Sequence, residues 1–309
     1  MASFHIQRDQ AHWTWNSEHS PTSYISPGDT VTVEIANASG GQLDRHSTSE
    51  HVAHLDFSRV NPVTGPIFIN GAGPGDALIV EILAIDLDDW GWTANIPGFG
   101  LLADQFPDPY LRISQVASTY AELLPGIRIP VCPFIGTIGV APALPGDHSL
   151  IPPGHHGGNM DMRQVTAGST LWLPVEVPGG LLSLGDSHAA QGDGEVAGTA
   201  IETSSSATIR IHLKKDARLT SPRLQSNPIS QRKGPALVTT GIGPDLWEAA
   251  REATLGMIDW LQNLGGLSRE DAYLVVSTAG DLAISEIVDA PNWVVSMHLS
   301  QSIIGGGNV

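Results

Sequence analysis

An apolar run in the middle of the chain leads into a cluster of acidic and imidazole side chains. The stretch at residues 181–202 reads LLSLGDSHAAQGDGEVAGTAIE, and it places Asp186, His188, Asp193 and Glu195 within ten residues. Carboxylate oxygens and imidazole nitrogens are the donors that a hard or borderline divalent cation binds. The interspersed glycines let the backbone bend sharply around a ligand. The pattern indicates a metal site or an acid/base site, and a hydrogen-bonded polar turn is the alternative.

The spacing of these side chains favours their convergence on one side of the chain. Side chains two residues apart on a strand point to the same face. Asp186 and His188 therefore project together if LLSLGDSHA is a strand that runs into a loop. Asp193 and Glu195 repeat the same spacing beyond a glycine turn.

A second polar stretch, PPGHHGGNMDMR at residues 152–163, lies upstream and could supply ligands from another loop. A mononuclear hydrolytic site keeps about three protein ligands and one position for water. Asp161, Asp186 and His188 are sufficient for this role, and His156 is a further candidate from the second stretch.

Two glutamates are candidates for the general base that such a site needs. Glu202 stands at the end of GTAIE, and Glu195 is the second candidate. A bound metal lowers the pKa of its water and polarises a carbonyl. A carboxylate next to the ligands would then accept the proton of that water.

Six segments in the chain resemble, in order, the acetamidase/formamidase family. They read NPVTGPIFINGAGPGDALIVEI, WGWTANIPGFGLLAD, PFIGTIGVAPA, HHGGNMD, LGDSHAAQGDGEVAGTAIE and DLWEAAREATLGMIDWL. The string GDSHAAQGDGE is the most specific of them. The resemblance implies hydrolysis of a short aliphatic amide to carboxylate and ammonia. It also implies a mostly β fold, a bound divalent metal and a homo-oligomer, dimer or larger.

The positions that match the family's motifs are His156, Asn159, Asp161, Asp186, His188, Gln191, Asp193, Glu195 and Glu202. Their division into roles follows from side-chain chemistry. The candidate metal ligands are Asp161, Asp186, His188, His156 and Asp193. The candidate catalytic residues are Glu202 and Glu195 as general base, and Asn159 and Gln191 as donors to the amide oxygen. Mixed oxygen and nitrogen donors suit zinc first and calcium second, and they admit other divalent ions.

Nucleophilic alternatives find little support in the sequence. Cys132 is the only thiol; it lies in the apolar run IRIPVCPFIG, and no lysine is within 80 residues of it. A reactive thiolate needs an electropositive setting. Ser204–Ser206 lie in a predicted turn, and the chain has only three lysines to act as a base. Water activated by a metal needs neither group.

Composition limits the partners of the protein. The net charge of -17 argues against a nucleic-acid or anionic-membrane surface, because both require basic patches. No segment approaches the ~20 apolar residues of a membrane span, and the first residues contain no apolar signal core. We expect a cytoplasmic protein whose partner is a small-molecule amide.

The elements that must position these residues are mostly strands. The 34 glycines and 22 prolines favour many short strands and turns. Strands are predicted after the two PGD turns, and one amphipathic helix is predicted within PDLWEAAREATLGMIDWLQNLGG, ended by its two glycines. We expect a β-sandwich or β-barrel-like architecture with a smaller α+β element near the C-terminus. The regions are 1–130, 131–235 and 236–309, in one compact unit.

An aromatic segment, DDWGWTANIPGFGLLADQFPD at residues 88–108, is predicted to be an irregular loop that lines a pocket. Trp90, Trp92 and Phe99 would be walls of that pocket or part of the core. One methyl group changes discrimination by only ~1–3 kcal/mol, so the sequence does not separate formamide from acetamide.

Two other functions stay open at this point. The first is a non-enzymatic β protein that binds a metal or small ligand, and the second is a hydrolase of a larger or cyclic amide. His51 and His54, at helical spacing, are either a second metal site or part of a solvated face.

Overall fold

A computed structural model describes residues 2–227 and 234–304 of the protein. The chain is mostly β, as the sequence predicts. In chain order the strands are β1 (Ser3–Ile6), β2 (Ala11–His12), β3 (Thr14–Trp15), β4 (Ser23–Ile25), β5 (Thr30–Ile35), β6 (Val63–Ile69), β7 (Ala77–Leu87), β8 (Trp90–Asn95), β9 (Tyr110–Val116), β10 (Tyr120–Leu124), β11 (Ile127–Pro130), β12 (Phe134–Gly139), β13 (His148–Ser149), β14 (Gly157–Asn159), β15 (Thr170–Pro174), β16 (Leu182–His188), β17 (Glu202–Thr203), β18 (Ser205–Lys214), β19 (Arg223–Ser226), β20 (Ala236–Gly243), β21 (Gly280–Glu286) and β22 (Trp293–Ser300). The α-helices are α1 (Ser49–Val52), α2 (Leu246–Gly265) and α3 (Arg269–Ala279), and short 3-10 turns span Phe57–Arg59 and Gln301–Ile304.

Two large sheets form the body of the protein. The first has nine strands in the order β1-β5-β18-β7-β15-β19-β20-β22-β21. In β5 and β18, buried and partly exposed residues alternate, as expected for a sheet with one face against a core. The strands of this sheet come from all three predicted regions. The division of the chain into those regions stays a prediction.

The second sheet has eleven strands, and β16 lies inside it. It pairs antiparallel with β12, β17 and β6. All seven residues of β16 are buried, because this strand has neighbours in the sheet and packed residues on both faces. A two-stranded sheet of β3 and β13 lies apart from both large sheets.

The main core lies between the two large sheets. One cluster of buried residues joins Val33 and Ile209 of the first sheet to Ile135 and Leu184 of the second. A shared core between facing sheets is the arrangement of a β-sandwich. This confirms the predicted fold class.

The predicted amphipathic helix is α2, and it packs against the first sheet. Asp245 caps its start by accepting a hydrogen bond from the Glu248 backbone N–H, and Gly266 ends it in the left-handed conformation. A second buried cluster holds Met257 and Leu261 against Leu237 of β20. The short helix α3 and strand β21 complete the predicted C-terminal α+β element.

The contact between α2 and β20 is close enough to exclude a side chain at Gly241. A Cβ added there would lie 1.9 Å from the carbonyl oxygen of Ala249. We therefore expect Gly241→Ala to lower the free energy of unfolding by about 3 kcal/mol, because helix and strand must separate. Gly243→Ala on the same strand is the control, since a Cβ there meets no described atom within 4 Å. Equal stability of the two variants in urea unfolding would contradict this packing.

Two local predictions were wrong. The aromatic segment is not an irregular loop throughout, because Trp90–Asn95 is strand β8, paired with β9 and touching β17. Ser204–Ser206 are not in a turn, because β18 begins at Ser205 and pairs on both sides with β5 and β7. In both cases the ladder of neighbouring strands outweighs local composition.

None of the helices in the described residues combines the length and the apolar character that a membrane-crossing helix requires. The cytoplasmic location stays a prediction.

Candidate active site

The predicted site residues converge around the end of β16. The antiparallel register places His188 directly opposite Glu202 of β17 and opposite Phe134 of β12. Nε2 of His188 lies 3.0 Å from Oδ1 of Asp186 and 3.1 Å from Oε2 of Glu202. The predicted strand-to-loop geometry therefore brings Asp186 and His188 together.

The other ring nitrogen of His188 is held by Gln191. Nδ1 lies 2.9 Å from the side-chain oxygen of Gln191, and the amide nitrogen of Gln191 donates to the backbone oxygen of Asp161 at 2.9 Å. The second contact orients the Gln191 amide so that its oxygen faces the imidazole. Nδ1 then carries a proton, and Nε2 is the nitrogen that faces the acids. The structure thus shows Gln191 orienting His188, whereas its predicted role as a donor to the amide oxygen stays a prediction.

Three of the site acids have left-handed backbone conformations. The φ angles are 45° at Asp161, 53° at Asp186 and 46° at Glu195. Residues other than glycine pay a conformational cost in this region, and they persist there when the surrounding structure fixes them. Such strain concentrates at functional sites. Three adjacent strained acids are consistent with one built site.

A hydrogen-bonded network supports the cluster from the side of β12 and β14. Asn159 donates to Asp289 at 2.5 Å and accepts from Asn61 at 3.0 Å and from the Thr137 hydroxyl. Thr137 also lies 3.5 Å from Asp186. Asp289 and nearby Glu286 were not predicted from the sequence. Glu286 ends β21 and Asp289 follows it, about a hundred positions from the other acids, in a segment without a motif of its own.

The donor atoms of the site form three overlapping groups. In each group one potential ligand atom per residue lies within 4.8 Å of the others. The groups are Asp161 with Asp186 and His188; His188 with Glu195 and Glu202; and Asp161 with Glu195 and Asp289. All six residues are buried. Five carboxylates therefore surround a single imidazole.

Burial and mutual repulsion raise the pKa values of most of these acids. Burial, and after it the charge of Asp186, raises the pKa of Asp161 well above its ordinary value. Burial, and after it Asp161, does the same to Glu195 and to Asp289. In addition, neither carboxylate oxygen of Asp161 accepts a hydrogen bond from a described residue. Without a cation these acids are therefore held toward their neutral, protonated forms, and ionising them together would leave negative charge without compensation.

The pair of His188 and Asp186 is the exception. Burial opposes the charge on His188, but Glu202 and Asp186 raise its pKa well above the ordinary value. Burial alone would raise the pKa of Asp186, but His188 lowers it below the usual range. Burial raises the pKa of Glu202 to about 7, although His188 opposes this. One imidazolium thus balances one carboxylate, and the other acids lack a cation of their own.

The five acids line a small cavity of about 60 Å³. Its lining also includes the apolar side chains of Trp92, Ile96, Phe99 and Ile151. Of the predicted aromatic walls, Trp92 and Phe99 line the cavity, whereas Trp90 packs against the adjoining cluster and under Arg45. The small volume and the mixture of acidic and apolar lining residues suit a small molecule with one polar and one apolar group.

Two predicted ligands do not join the acid groups. His156 packs its ring against Trp15 at 5.3 Å, and burial lowers its pKa to about 3. Asp193 makes a two-point ion pair with Arg163, with distances of 2.9 Å and 3.0 Å. Their roles as metal ligands stay predictions.

The remaining candidates lie apart from the cavity. Cys132 is half-buried, and its backbone N–H donates to the Ala189 oxygen. His51 caps the start of α1 by accepting from the Thr48 backbone N–H. His51 and His54 border a separate surface depression.

Gly136 on β12 is a site position that was not predicted, although it lies in the segment PFIGTIGVAPA that resembles the family. A Cβ there would lie 2.4 Å from Oδ1 of Asp161 and 3.0 Å from Oδ2 of Asp186. We expect Gly136→Ala to displace both carboxylates and to lower turnover about 10–100-fold, the range for groups that orient metal ligands. Steady-state kinetics would measure this effect. Gly192→Ala is the control within the motif, because a Cβ there meets no described atom within 4 Å; similar losses in both variants would contradict the explanation.

Comparison with known proteins identifies the relatives of this chain. The model of the acetamidase/formamidase family matches residues 2–149 and 147–305. The chain is 29% identical, over 367 aligned positions, to a formamidase from Methylophilus methylotrophus, covering 96% of this chain and 90% of the relative. It superimposes on an acetamidase from Bacillus halodurans with a TM-score of 0.89 and 32% identity, covering 97% and 99% of the two chains. A γ-lactamase from Delftia acidovorans gives a TM-score of 0.69 and 26% identity, covering 96% of this chain and 90% of that one.

The fold, the buried acid site and these relationships define the chain as an amidase, a hydrolase of carboxamide C–N bonds. The protein belongs to the acetamidase/formamidase family.

Proposed function

We propose that the protein hydrolyses a short-chain aliphatic amide, formamide or acetamide, to the carboxylate and ammonia with the help of a bound divalent cation. The observation that carries the proposal is the cluster of five buried carboxylates and one imidazole, whose acids line a cavity of about 60 Å³. The amide group meets the acids, and the hydrogen or methyl group of the acyl part meets the apolar side chains.

The residues fit a divalent cation. Buried carboxylates need a compensating charge, and Asp161 offers two oxygens that accept no hydrogen bond from the described residues. Asp161, Asp186 and His188 would hold the ion, with Nδ1 of His188 kept protonated by Gln191. To hold such an ion, His188 would have to give up the proton that Nε2 shares with Asp186, as is usual for a histidine ligand. Zinc is our first choice and calcium the second, because the donors mix oxygen with nitrogen.

Such an ion, when bound, polarises a carbonyl group and lowers the pKa of water. Glu202 is the general base of the proposal. The Ala200 backbone N–H fixes one of its oxygens at 2.7 Å, and its other oxygen accepts no well-aligned hydrogen bond from the described residues. Glu202 accepts the proton of the attacking water and returns it to the leaving amine, so that the C–N bond breaks with release of ammonia. Glu195 is the second candidate for this role.

Asn159 is the proposed donor to the amide oxygen. It lines the cavity, and contacts with Asn61, Thr137 and Asp289 fix its side chain. A donor that is already oriented stabilises negative charge on the carbonyl oxygen without reorganisation during the reaction.

A cyclic amide is the second candidate substrate. The likeness to the Delftia acidovorans γ-lactamase favours it, and the small cavity favours formamide or acetamide. Membership of an amidase family leaves the alternative of a non-enzymatic binding protein without support. A homo-oligomeric assembly stays a prediction.

The proposal is tested by ammonia release from formamide, acetamide and a γ-lactam. The protein is assayed as purified, after treatment with a chelator, and after addition of zinc or calcium alone. We expect the chelator to reduce release at least ~100-fold, because the ion contributes several kcal/mol to the transition state, and we expect one ion to restore it. Full activity in the chelated, metal-free protein would refute the metal dependence, and activity on the lactam alone would replace the substrate.

A further inference from the structure

Two separate segments of the chain must be held together for the acid cluster to exist. One segment follows β14 and carries Asp161, and the other is the loop of residues 189–201, which carries Glu195. Both acids have left-handed φ angles, 45° and 46°. Their oxygens belong to one group within 4.8 Å. Repulsion between like charges acts to separate the two segments when both acids are ionised, and the left-handed backbone at each acid persists only where surrounding contacts fix it.

Backbone contacts hold the Glu195 loop to the C-terminal part of the site and to Leu101, whose N–H donates to the Val196 oxygen at 2.9 Å. The Gly194 N–H donates to the Ser285 oxygen at 2.9 Å, and Gly194 forms a β-bridge with Glu286. Inside the loop, the backbone oxygen of Glu195 accepts a hydrogen bond from the Gly198 N–H at 2.7 Å. These contacts fix the loop against the end of β21. Near the start of the loop, Gln191 also donates to the Asp161 backbone oxygen at 2.9 Å, but this contact lies four residues away from Glu195.

The ion pair of Arg163 and Asp193 attaches the two segments at a second point, closer to Glu195. Nε of Arg163 lies 2.9 Å from Oδ1 of Asp193, and a terminal nitrogen of Arg163 donates to Oδ2 at 3.0 Å. The two side chains are 10% and 26% exposed, so the pair is only partly screened by solvent. The contact to Oδ2 is a hydrogen bond that fixes orientation, and the close approach of Nε to Oδ1 adds an ion pair at a second point.

The position of this pair in the sequence matches its role. Arg163 follows Asp161 by two residues, and Asp193 precedes Glu195 by two residues. The pair therefore joins the two strained segments directly beside the acids that they carry.

We infer that the Arg163–Asp193 pair is a clamp that holds Asp161 and Glu195 together, and that Asp193 is a positioning residue and not a ligand. The activity readout of this inference rests on the proposed amide hydrolysis, but the inference itself concerns the geometry of the cation site. It explains why Asp193 shares the motif of the ligands while its carboxylate faces Arg163.

The test compares Asp193→Asn, Arg163→Gln and the double variant. Affinity for zinc and for calcium is measured by calorimetry, and hydrogen–deuterium exchange is measured over residues 189–201. A clamp predicts that each single variant loses about 10–100-fold in affinity for the bound ion and exchanges faster in the loop. It also predicts that the double variant binds the ion about as tightly as the single variant with the lower affinity, because the pair acts as one unit.

Specific results would overturn the inference. If Asp193→Asn loses the ion while Arg163→Gln binds it as the wild type does, Asp193 is a ligand. If neither variant changes affinity or exchange, the pair holds nothing in place. Arg163→Lys, which keeps the charge but loses the two-point contact, replaces Arg163→Gln if that variant does not fold, and a clamp predicts an intermediate loss for it.

A matched pair on the other sheet controls for the loss of an ion pair as such. Arg210 and Glu81 lie 3.2 Å apart on β18 and β7, and Glu81→Gln should leave ion affinity and loop exchange unchanged. If the wild type releases no ammonia from any amide, the proposed function fails. Ion affinity and exchange still test the clamp in that case, because neither measurement requires turnover.

Discussion

Glu202→Gln is expected to lower kcat on the preferred amide by about 10²–10⁴-fold, the usual contribution of a general acid–base group. The substitution keeps the size of the side chain and its contact with the Ala200 backbone, but it removes the oxygen that would accept a proton from water. Glu202 is 2% exposed and lies opposite His188 across the β16–β17 pair. Because the side chain is buried, we do not expect bulk solvent to take over its role as proton acceptor. Steady-state kinetics with ammonia detection would measure the loss.

The design separates loss of the base from loss of the cation. The variant should bind the divalent ion within a few-fold of the wild type, because Asp161, Asp186 and His188 are unchanged. Glu270→Gln, at an exposed position of α3, is the control and should keep full activity. If Glu202→Gln binds the ion and turns over normally, Glu202 is not the base, and Glu195→Gln becomes the next variant to measure.

The elements that the sequence predicts well are those whose signal is local. Helix α2 has a capping Asp245, an apolar face and a terminal Gly266, so its bounds follow from its own residues. The contact between Asp186 and His188 follows from the period of a strand. The aromatic strand β8 was mistaken for a loop because its glycine and the prolines that follow it weaken the β signal, even though its tryptophans favour a strand. Its pairing with β9 fixes it as a strand.

The parts of the site that the sequence does not predict depend on long-range contacts. Asn159 donates a hydrogen bond to Asp289 across 130 positions of sequence, and the residue pattern of neither segment indicates that the two are in contact. Gly136 matters because two distant carboxylates pack over it, which spacing cannot show. Asp193 has the same residue type and spacing as a ligand. Only the position of Arg163 distinguishes a clamp from a ligand.

The balance of charge in the site leads to a prediction that couples stability to function. Asp161 is 1% exposed, and burial and Asp186 hold its pKa well above the ordinary value of 3.8. An acid whose pKa is higher in the folded state binds its proton more tightly there than in the unfolded chain. It therefore destabilises the fold as the pH rises above the unfolded value. The cation-free protein should lose stability between about pH 4 and neutral pH for this reason.

Asp161→Asn should remove that cost and the activity together. Because the unfavourable burial of an ionised acid is removed, we expect the cation-free variant to be more stable than the cation-free wild type at pH 7. Its stability should also vary less with pH above about 4. Turnover should fall at least ~100-fold, because a proposed ligand of the ion is lost. Urea unfolding in the presence of a chelator and kinetics with added metal would measure the two effects.

Asp76→Asn is the matched control, because it makes the same substitution at a buried aspartate with the opposite balance. Burial opposes the charge of Asp76, but its hydrogen bond with Lys215, at 2.6 Å, lowers the pKa below the usual range. That group stabilises the fold above its unfolded pKa, so its loss should destabilise the protein and leave turnover intact. A cation-free Asp161→Asn variant that is less stable than the wild type would show that burial and repulsion between the site acids do not destabilise the cation-free fold. The need for a cation would then lose its main physical support.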